Sequence, residues 1–184
     1  MFIQTEATPN PATLKFLPGR PVLGEGTFEA RDAAEAGRSP LASRLFEIPG
    51  VSGVFFGSDF VTVTKQDAEW PHLKPAILGV IMEHFVSGQP VLPETHEHVE
   101  DDAFFEAKDE GLVDTIRELI DTRVRPAVAN DGGDITFRGY KDGVVFLAMK
   151  GSCAGCPSST ATLKNGIENL LRHFVPDVVE VRAV

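Results

Sequence analysis

The sequence has few of the residues that build covalent or membrane-bound frameworks. Its 184 residues include only two cysteines, three positions apart, together with one tryptophan and one tyrosine. A disulfide between such close cysteines would close a very small loop, so we do not expect a disulfide-stapled fold. No apolar run approaches the roughly 20 residues that span a bilayer, so we expect no membrane contact. With 42% hydrophobic and 24% charged residues, the composition is typical of a globular protein.

Positive charge is also scarce, because 17 basic residues face 27 acidic ones and the net charge is -10. We therefore expect no nucleic-acid binding. The start of the chain lacks the basic and apolar pattern of a signal peptide and the Arg- and Ser-rich composition of a transit peptide. These features predict a cytoplasmic protein or an already mature one.

An acidic segment divides the chain into two parts, each with mixed helix and strand patterns. Residues 94–110 hold eight acidic residues and one basic residue. We predict an N-terminal domain over 1–93, a flexible linker over 94–110 and a C-terminal domain over 111–184, both domains being small and of the α+β class. His96 and His98 could in principle bind a metal, but a solvated pair in a tether is the simpler interpretation.

The N-terminal part has a folded pattern but no constellation of catalytic side chains. Ser39-Pro40 marks the start of one helix, and a second helix ends at Gly88. His84 falls on the apolar face of this second helix, and we interpret it as a half-buried residue rather than a ligand. Strand-like runs occupy 2–5, 14–16, 51–56 and 60–64. The role that we expect for this domain is partner recognition.

The C-terminal part predicts the order helix, strand, strand, helix, strand. Apolar residues recur at helical spacing from Leu112 to Val124, and Pro126 should kink or end that helix. Asp142-Gly143 is a hairpin signal between two strand-like runs. A second amphipathic helix follows, and residues 178–184 form the last strand.

Cys153 and Cys156 lie in the connection between the second predicted strand and the second predicted helix. A helix N-terminus carries a partial positive charge, which favours thiolate over thiol. Gly151 and Gly155 leave room for backbone N–H groups to approach the sulfurs. We therefore predict that both cysteines bind a metal or an iron–sulfur cofactor.

The number of ligands requires a second chain. Iron–sulfur clusters and structural zinc normally take four protein ligands, and this chain supplies two thiols. His173 follows Cys156 by 17 residues, which is about 25 Å along a helix and too far for coordination. Two chains related by a twofold axis can supply four thiolates. A cofactor held in this way is releasable, because separation of the chains removes half of its ligands.

Several segments together resemble one known family. The blocks Gly151–Ser159, Asp131–Asp134 and Leu163–Ile167 are similar to the C-terminal domain of the NifU/Nfu iron–sulfur cluster scaffold family. The blocks Met1–Pro11, Leu14–Phe16, Ser39–Ala42 and Gly57–Thr64 resemble the N-terminal domain of its mitochondrial and alphaproteobacterial Nfu branch. The resemblance implies a cluster, usually [4Fe-4S] although [2Fe-2S] stays open, bound by Cys153 and Cys156 between the subunits of a homodimer. It also implies delivery to client apo-proteins and contact with upstream assembly proteins. The expected location is the cytoplasm for a bacterial protein and the mitochondrial matrix for a mature eukaryotic form.

Three alternatives use the same two cysteines. A thiol–disulfide oxidoreductase would be an enzyme, but thioredoxin-like folds place a strand–helix–strand unit ahead of the motif. A zinc-bridged dimer follows from the same ligand count. Two incidental thiols are the simplest alternative. The prediction that we carry forward is a carrier without catalytic turnover.

Overall fold

The computed structural model describes residues 2–24, 26–92, 103–151 and 157–184, without the side chains of 157–160. The chain divides into two compact units, Met1–His96 and Glu97–Val184. Each unit has its own sheet, its own helices and its own hydrophobic core, which confirms the predicted α+β class. Among the described residues, none of the helices combines the length and apolar character needed to cross a membrane.

The first unit is built on a five-stranded antiparallel sheet with the order β1-β2-β5-β4-β3. Its strands are β1 (Gln4–Ala7), β2 (Thr13–Leu17), β3 (Phe28–Ala30), β4 (Val51–Phe56) and β5 (Val61–Lys65), and its helices are α1 (Ala33–Ala36), α2 (Pro40–Phe46) and α3 (Trp70–Ser87). Alternate strand residues pack against the buried residues of α2 and α3. The strands and the two helices predicted from the sequence are present. Strand β3 and helix α1 were not predicted, because three or four residues are too few to show a period.

Local capping explains where the helices of the first unit begin and end. The Ser39 hydroxyl accepts a hydrogen bond from the amide of Ala42 at 3.2 Å, and Pro40 occupies the first turn of α2. The same hydroxyl donates to the carbonyl of Val91 at 2.5 Å. Helix α3 ends at Gly88, whose φ of 73° is a conformation that glycine adopts without strain.

The second unit has a three-stranded sheet with the order β6-β7-β8. Its elements are α4 (Glu110–Leu119), a π-helical turn (Ile120–Val124), α5 (Arg125–Asn130), β6 (Gly133–Lys141), β7 (Val144–Gly151), α6 (Pro157–Phe174) and β8 (Glu180–Ala183). Strands β6 and β7 form an antiparallel hairpin, and β8 pairs with β7 in parallel. This is the predicted order, with the first helix divided in two.

The division of that first helix occurs at Pro126. The π-helical turn ends at Val124, and α5 then begins with the proline in its first turn. The backbone stays helical across this junction, because Val124 and Arg125 keep right-handed helical angles and the amide of Arg125 donates to the carbonyl of Ile120. Pro126 cannot donate a backbone hydrogen bond, and the predicted kink or end corresponds to the π-helical turn that precedes it.

The hairpin between β6 and β7 turns at Asp142 and Gly143, as predicted. Both residues have positive φ, 50° and 80°, which is the backbone of a tight hairpin turn. A Cβ atom at Gly143 would lie 2.8 Å from Val179 Cγ2 and 3.0 Å from the carbonyl oxygen of Asp177. Glycine is therefore required at this turn for its backbone freedom and for its lack of a side chain.

The structure differs from the predicted linker at its C-terminal end. Residues 93–102, with His96 and His98, lie outside the described residues. Phe104 forms a parallel bridge with Gly139 of β6, Ala107–Asp109 form a 3-10 turn, and α4 begins at Glu110. Residues 103–110 therefore belong to the second unit, because aromatic side chains in this acidic stretch anchor it to the sheet.

Candidate functional site

The predicted ligands lie between two described elements. Cys153 and Cys156 fall within residues 152–156, outside the described residues, after the last residue of β7 and before the first residue of α6. The structure therefore describes the frame from which the cysteine segment departs, and the assignment of both cysteines as ligands stays a prediction.

The strand that leads into this segment ends in a backbone turn that favours glycine. Gly151 pairs with Gly133 across the hairpin and has a φ of 68°. Gly132, with a φ of 82°, makes a similar turn before β6 begins. Other residues are strained in this region. Both glycines therefore have a backbone reason to stand at this end of the sheet.

A buried ion pair fixes the loop beside Gly151. Asp134 is only 3% exposed and lies opposite Lys150 in the hairpin register. Arg125 donates to both carboxylate oxygens of Asp134, from Nε to Oδ1 and from Nη2 to Oδ2, each at 2.9 Å. Asp121 accepts a further hydrogen bond from Nη1 at 3.2 Å. Hydrogen bonding to Asp134 raises the pKa of Arg125 above its ordinary value.

This ion pair ties α5 to β6 at the end of the hairpin that carries the cysteine segment. The sequence analysis did not single out Arg125, and it named Asp134 only as the end of the block Asp131–Asp134. The available signal was an arginine beside Pro126 that precedes a carboxylate in a loop of glycines. A bidentate pair of this kind holds the backbone next to Gly151 in one arrangement.

Among the residues described in the second unit, the one histidine lies away from the start of α6. His173 lies in the last turn of the 18-residue helix α6, at the end opposite Pro157. His72 and His84 belong to α3 of the first unit. In the described parts of the chain, no group of three or more His, Cys, Asp or Glu side chains could hold a metal ion.

His84 is more deeply buried than the sequence predicts. Its side chain has no exposed area, and within the described structure neither ring nitrogen has a hydrogen-bond partner. Burial lowers the pKa of His84, and the nearby charge of Arg44 lowers it further. The backbone of Gln89 opposes this shift in the pKa without reaching hydrogen-bond geometry. His84 is therefore a neutral core residue rather than a half-buried one.

The end of α6 nearest the cysteines supplies a favourable electrostatic setting for thiolates. Cys156 directly precedes Pro157, the first residue of this helix. The first amides of an α-helix have no intrahelical partner and carry a partial positive charge. Such a charge stabilises the anionic form of a thiol, which is the form that binds metals. The donor set and its position therefore fit a soft-metal cargo.

Comparisons with known proteins match both units. Residues 3–88 match the family described as "Scaffold protein Nfu/NifU N terminal", and residues 116–182 match the "NifU-like domain". A solved NifU-like protein from Saccharomyces cerevisiae is 29% identical; the match covers 51% of this chain and 86% of that one, at a TM-score of 0.47.

Two relatives align over the whole chain, and both are named "NFU1 iron-sulfur cluster scaffold homolog, mitochondrial". The Drosophila erecta protein is 53% identical over 186 positions, which cover 100% of this chain and 65% of its own length. The Homo sapiens protein is 52% identical, with coverage of 100% and 72%. The chain thus spans about two thirds of the length of these relatives. On these matches the chain belongs to the Nfu/NifU iron–sulfur cluster scaffold family.

Proposed function

We propose that the chain is a carrier that holds an iron–sulfur cluster as cargo on Cys153 and Cys156, shared with a second copy, and transfers it to client apo-proteins. The observation that carries this proposal is the supply of two thiols per chain directly before α6 in the sequence, while His173, the one histidine described in the second unit, lies at the other end of that helix. A cluster with four protein ligands then requires two chains.

The chain's own residues would act on the cargo in two ways before a client takes it. The N-terminal end of α6 stabilises Cys153 and Cys156 as thiolates. The Arg125–Asp134 ion pair holds the neighbouring strand end in place. Client thiolates replace the two cysteines one at a time, and parting of the two copies completes the release. Catalytic turnover is not part of this function.

The relatives support both the cargo and the compartment. Their names describe iron–sulfur scaffolds of mitochondria, which favours the mitochondrial matrix over the bacterial cytoplasm of the two locations expected from the sequence. The chain spans about two thirds of the length of these relatives. Its interaction with client proteins and with a cluster donor is therefore part of this proposal.

Anaerobic reconstitution with iron and sulfide tests the shared cluster. We expect loaded protein to elute as a dimer with about four iron atoms per two chains, and Mössbauer spectra to distinguish [4Fe-4S] from [2Fe-2S]. Cys153→Ser and Cys156→Ser should each lose both the cluster and its delivery, whereas Ser152→Ala, a matched control in the same segment, should retain both. A full cluster on a monomer, or normal client maturation by Cys156→Ser, would refute the proposal.

The same apo-protein tests the oxidoreductase alternative. A helix and a hairpin precede the cysteine segment and one strand follows it, whereas a thioredoxin-like fold needs a strand–helix–strand unit ahead of the motif. We expect insulin reduction to stay at the rate of the buffer. Rapid turnover would favour an enzyme in place of a carrier.

For the first unit we propose partner recognition. It has a core of its own, so deletion of residues 1–93 should leave cluster binding intact while slowing transfer to a client. Transfer at an unchanged rate would remove this role.

A further inference from the structure

A short segment after the acidic tract pairs with the edge of the second sheet through a single β-bridge. We call Ala103–Phe105 the strap. The amide of Phe104 donates to the carbonyl of Arg138 at 3.2 Å, and the amide of Tyr140 donates to the carbonyl of Phe104 at 2.9 Å. These two hydrogen bonds are those of a parallel pair centred on Gly139. The strap therefore occupies the free edge of β6.

Two aromatic rings fasten the strap. The ring of Phe104 lies 5.1 Å from that of Phe146 on β7. It also fills the space that a side chain at Gly139 would need, since a Cβ atom there would lie 2.5 Å from the ring. The guanidinium of Arg117 lies 5.8 Å from the centre of the Phe105 ring. The edge of β6 thus offers backbone hydrogen-bonding groups, a space over Gly139 that accepts an aromatic ring, and the guanidinium of Arg117, which contacts a second ring.

The strap itself carries no charge, but the residues on both sides of it are acidic, with Asp101 and Asp102 before it and Glu106 after it in the sequence. The Glu106 carboxylate lies 2.8 Å from the Lys108 ammonium. The hydrogen bond from Lys108 lowers the pKa of Glu106, and the positive charge of Lys141 on β6 lowers it further. An extended acidic segment with an aromatic residue therefore matches this edge in backbone, shape and charge.

The attachment is shallow for a permanent part of the fold. Only two backbone hydrogen bonds join the strap to β6, and Phe104 and Phe105 remain 49% and 37% exposed. Edge strands with free backbone groups accept added strands readily. An occupant with the same chemistry can therefore compete for this edge.

We propose that the edge of β6 around Gly139 is a binding site for an extended, acidic peptide segment with an aromatic residue, and that the strap is its exchangeable occupant. The segment that displaces the strap comes from a client protein; only this identification rests on the proposed function. Displacement frees three residues and lengthens the tether between the units by about 10 Å. The site uses neither cysteine.

A peptide titration on the full-length apo-protein tests this site. The probe is a peptide of residues 101–107, and a control peptide has both phenylalanines replaced by alanine. We expect the probe, but not the control peptide, to shift the amide resonances of 138–141 in Phe104→Ala/Phe105→Ala. In the unsubstituted chain the strap competes with the peptide for the edge of β6 at an effective concentration of about millimolar. The apparent Kd of the peptide should therefore be about tenfold higher for the unsubstituted chain than for the double variant. Phe2→Ala, at an exposed aromatic of the first unit, should behave like the unsubstituted chain.

Hydrogen exchange in the unsubstituted chain gives a second measurement. If the strap opens locally, the Tyr140 amide should exchange at least about tenfold faster than the amides that pair β6 with β7. Three results would overturn the proposal: no saturable shift in the double variant, equal affinity in both proteins, or Tyr140 exchange as slow as the rest of the sheet. A double variant that fails to fold would also overturn it, because the strap would then be structural.

Discussion

Removal of the Arg125 guanidinium should destabilise the second unit far more than removal of an exposed ion pair. The Arg125→Met substitution takes two hydrogen bonds of 2.9 Å from Asp134. A hydrogen bond to a charged group contributes about 1.5–3 kcal/mol. The Asp134 side chain is 5% exposed but that of Arg125 is 36% exposed, so water screens part of this interaction. We expect a loss of about 2–3 kcal/mol, between the values for surface pairs and for fully buried pairs.

Thermal unfolding measures this loss with an internal reference. For a unit of this size, about 2–3 kcal/mol corresponds to a fall in Tm of roughly 10–20 °C. Far-UV circular dichroism follows both units, whereas fluorescence of Trp70, the single tryptophan, follows the first unit alone. The fluorescence midpoint of Arg125→Met should therefore stay unchanged while the other transition moves down.

A matched control and a double-mutant cycle decide whether the ion pair is responsible. Lys164 and Glu180 lie 4.0 Å apart with side chains about one-third exposed, so Lys164→Met should cost about 0–0.5 kcal/mol. The cycle of Arg125→Met and Asp134→Asn should give a coupling of at least about 1 kcal/mol. Equal effects of Arg125→Met and Lys164→Met, or a coupling near zero, would refute the reasoning.

Two further substitutions follow from the described geometry. The pKa of His84 is lowered from 6.5, so the unfolded chain binds more protons below about pH 6.5 and the first unit should lose stability as the pH falls through this range. His84→Phe should abolish this pH dependence and raise the urea midpoint read from Trp70 fluorescence; a slope that persists would exclude His84 as its source. Gly143→Ala should cost about 1–3 kcal/mol in the second unit, because φ is 80° and the new Cβ meets Val179. Gly79→Ala, whose Cβ would meet nothing within 4 Å in α3, should stabilise the first unit by about 1 kcal/mol in chemical denaturation; the opposite order of the two glycines would contradict the argument.

Features that depend on neighbours in the sequence could be predicted. Ser39-Pro40 starts α2, Gly88 ends α3, and Asp142-Gly143 turns the hairpin, because caps and tight turns are decided by the backbone preferences of a few adjacent residues. The amphipathic periods of the longer helices belong to the same class. The prediction that the cysteine pair binds its cofactor together with a second chain rests on residue type and spacing alone.

Features that depend on tertiary contacts could not be predicted. Arg125 and Asp134 are nine residues apart and meet only after α5 turns back onto β6. Phe104 pairs with Gly139 at the point where the register of β6 against β7 shifts, between Phe137 and Gly139. The depth of His84 likewise depends on packing around α3 rather than on its helical face. The acidic composition of residues 103–110 predicted a linker, because composition does not indicate which tertiary contacts a segment makes.

The parallel pairing of β8 with β7 has a consequence during synthesis. Every strand of the first sheet precedes residue 66, so that sheet can close early, as the nascent chain leaves the ribosome. The central strand of the second sheet gains its parallel neighbour only after Ala183 has emerged. Because Cys153 and Cys156 precede β8 in the sequence, both thiols emerge before the second sheet is complete.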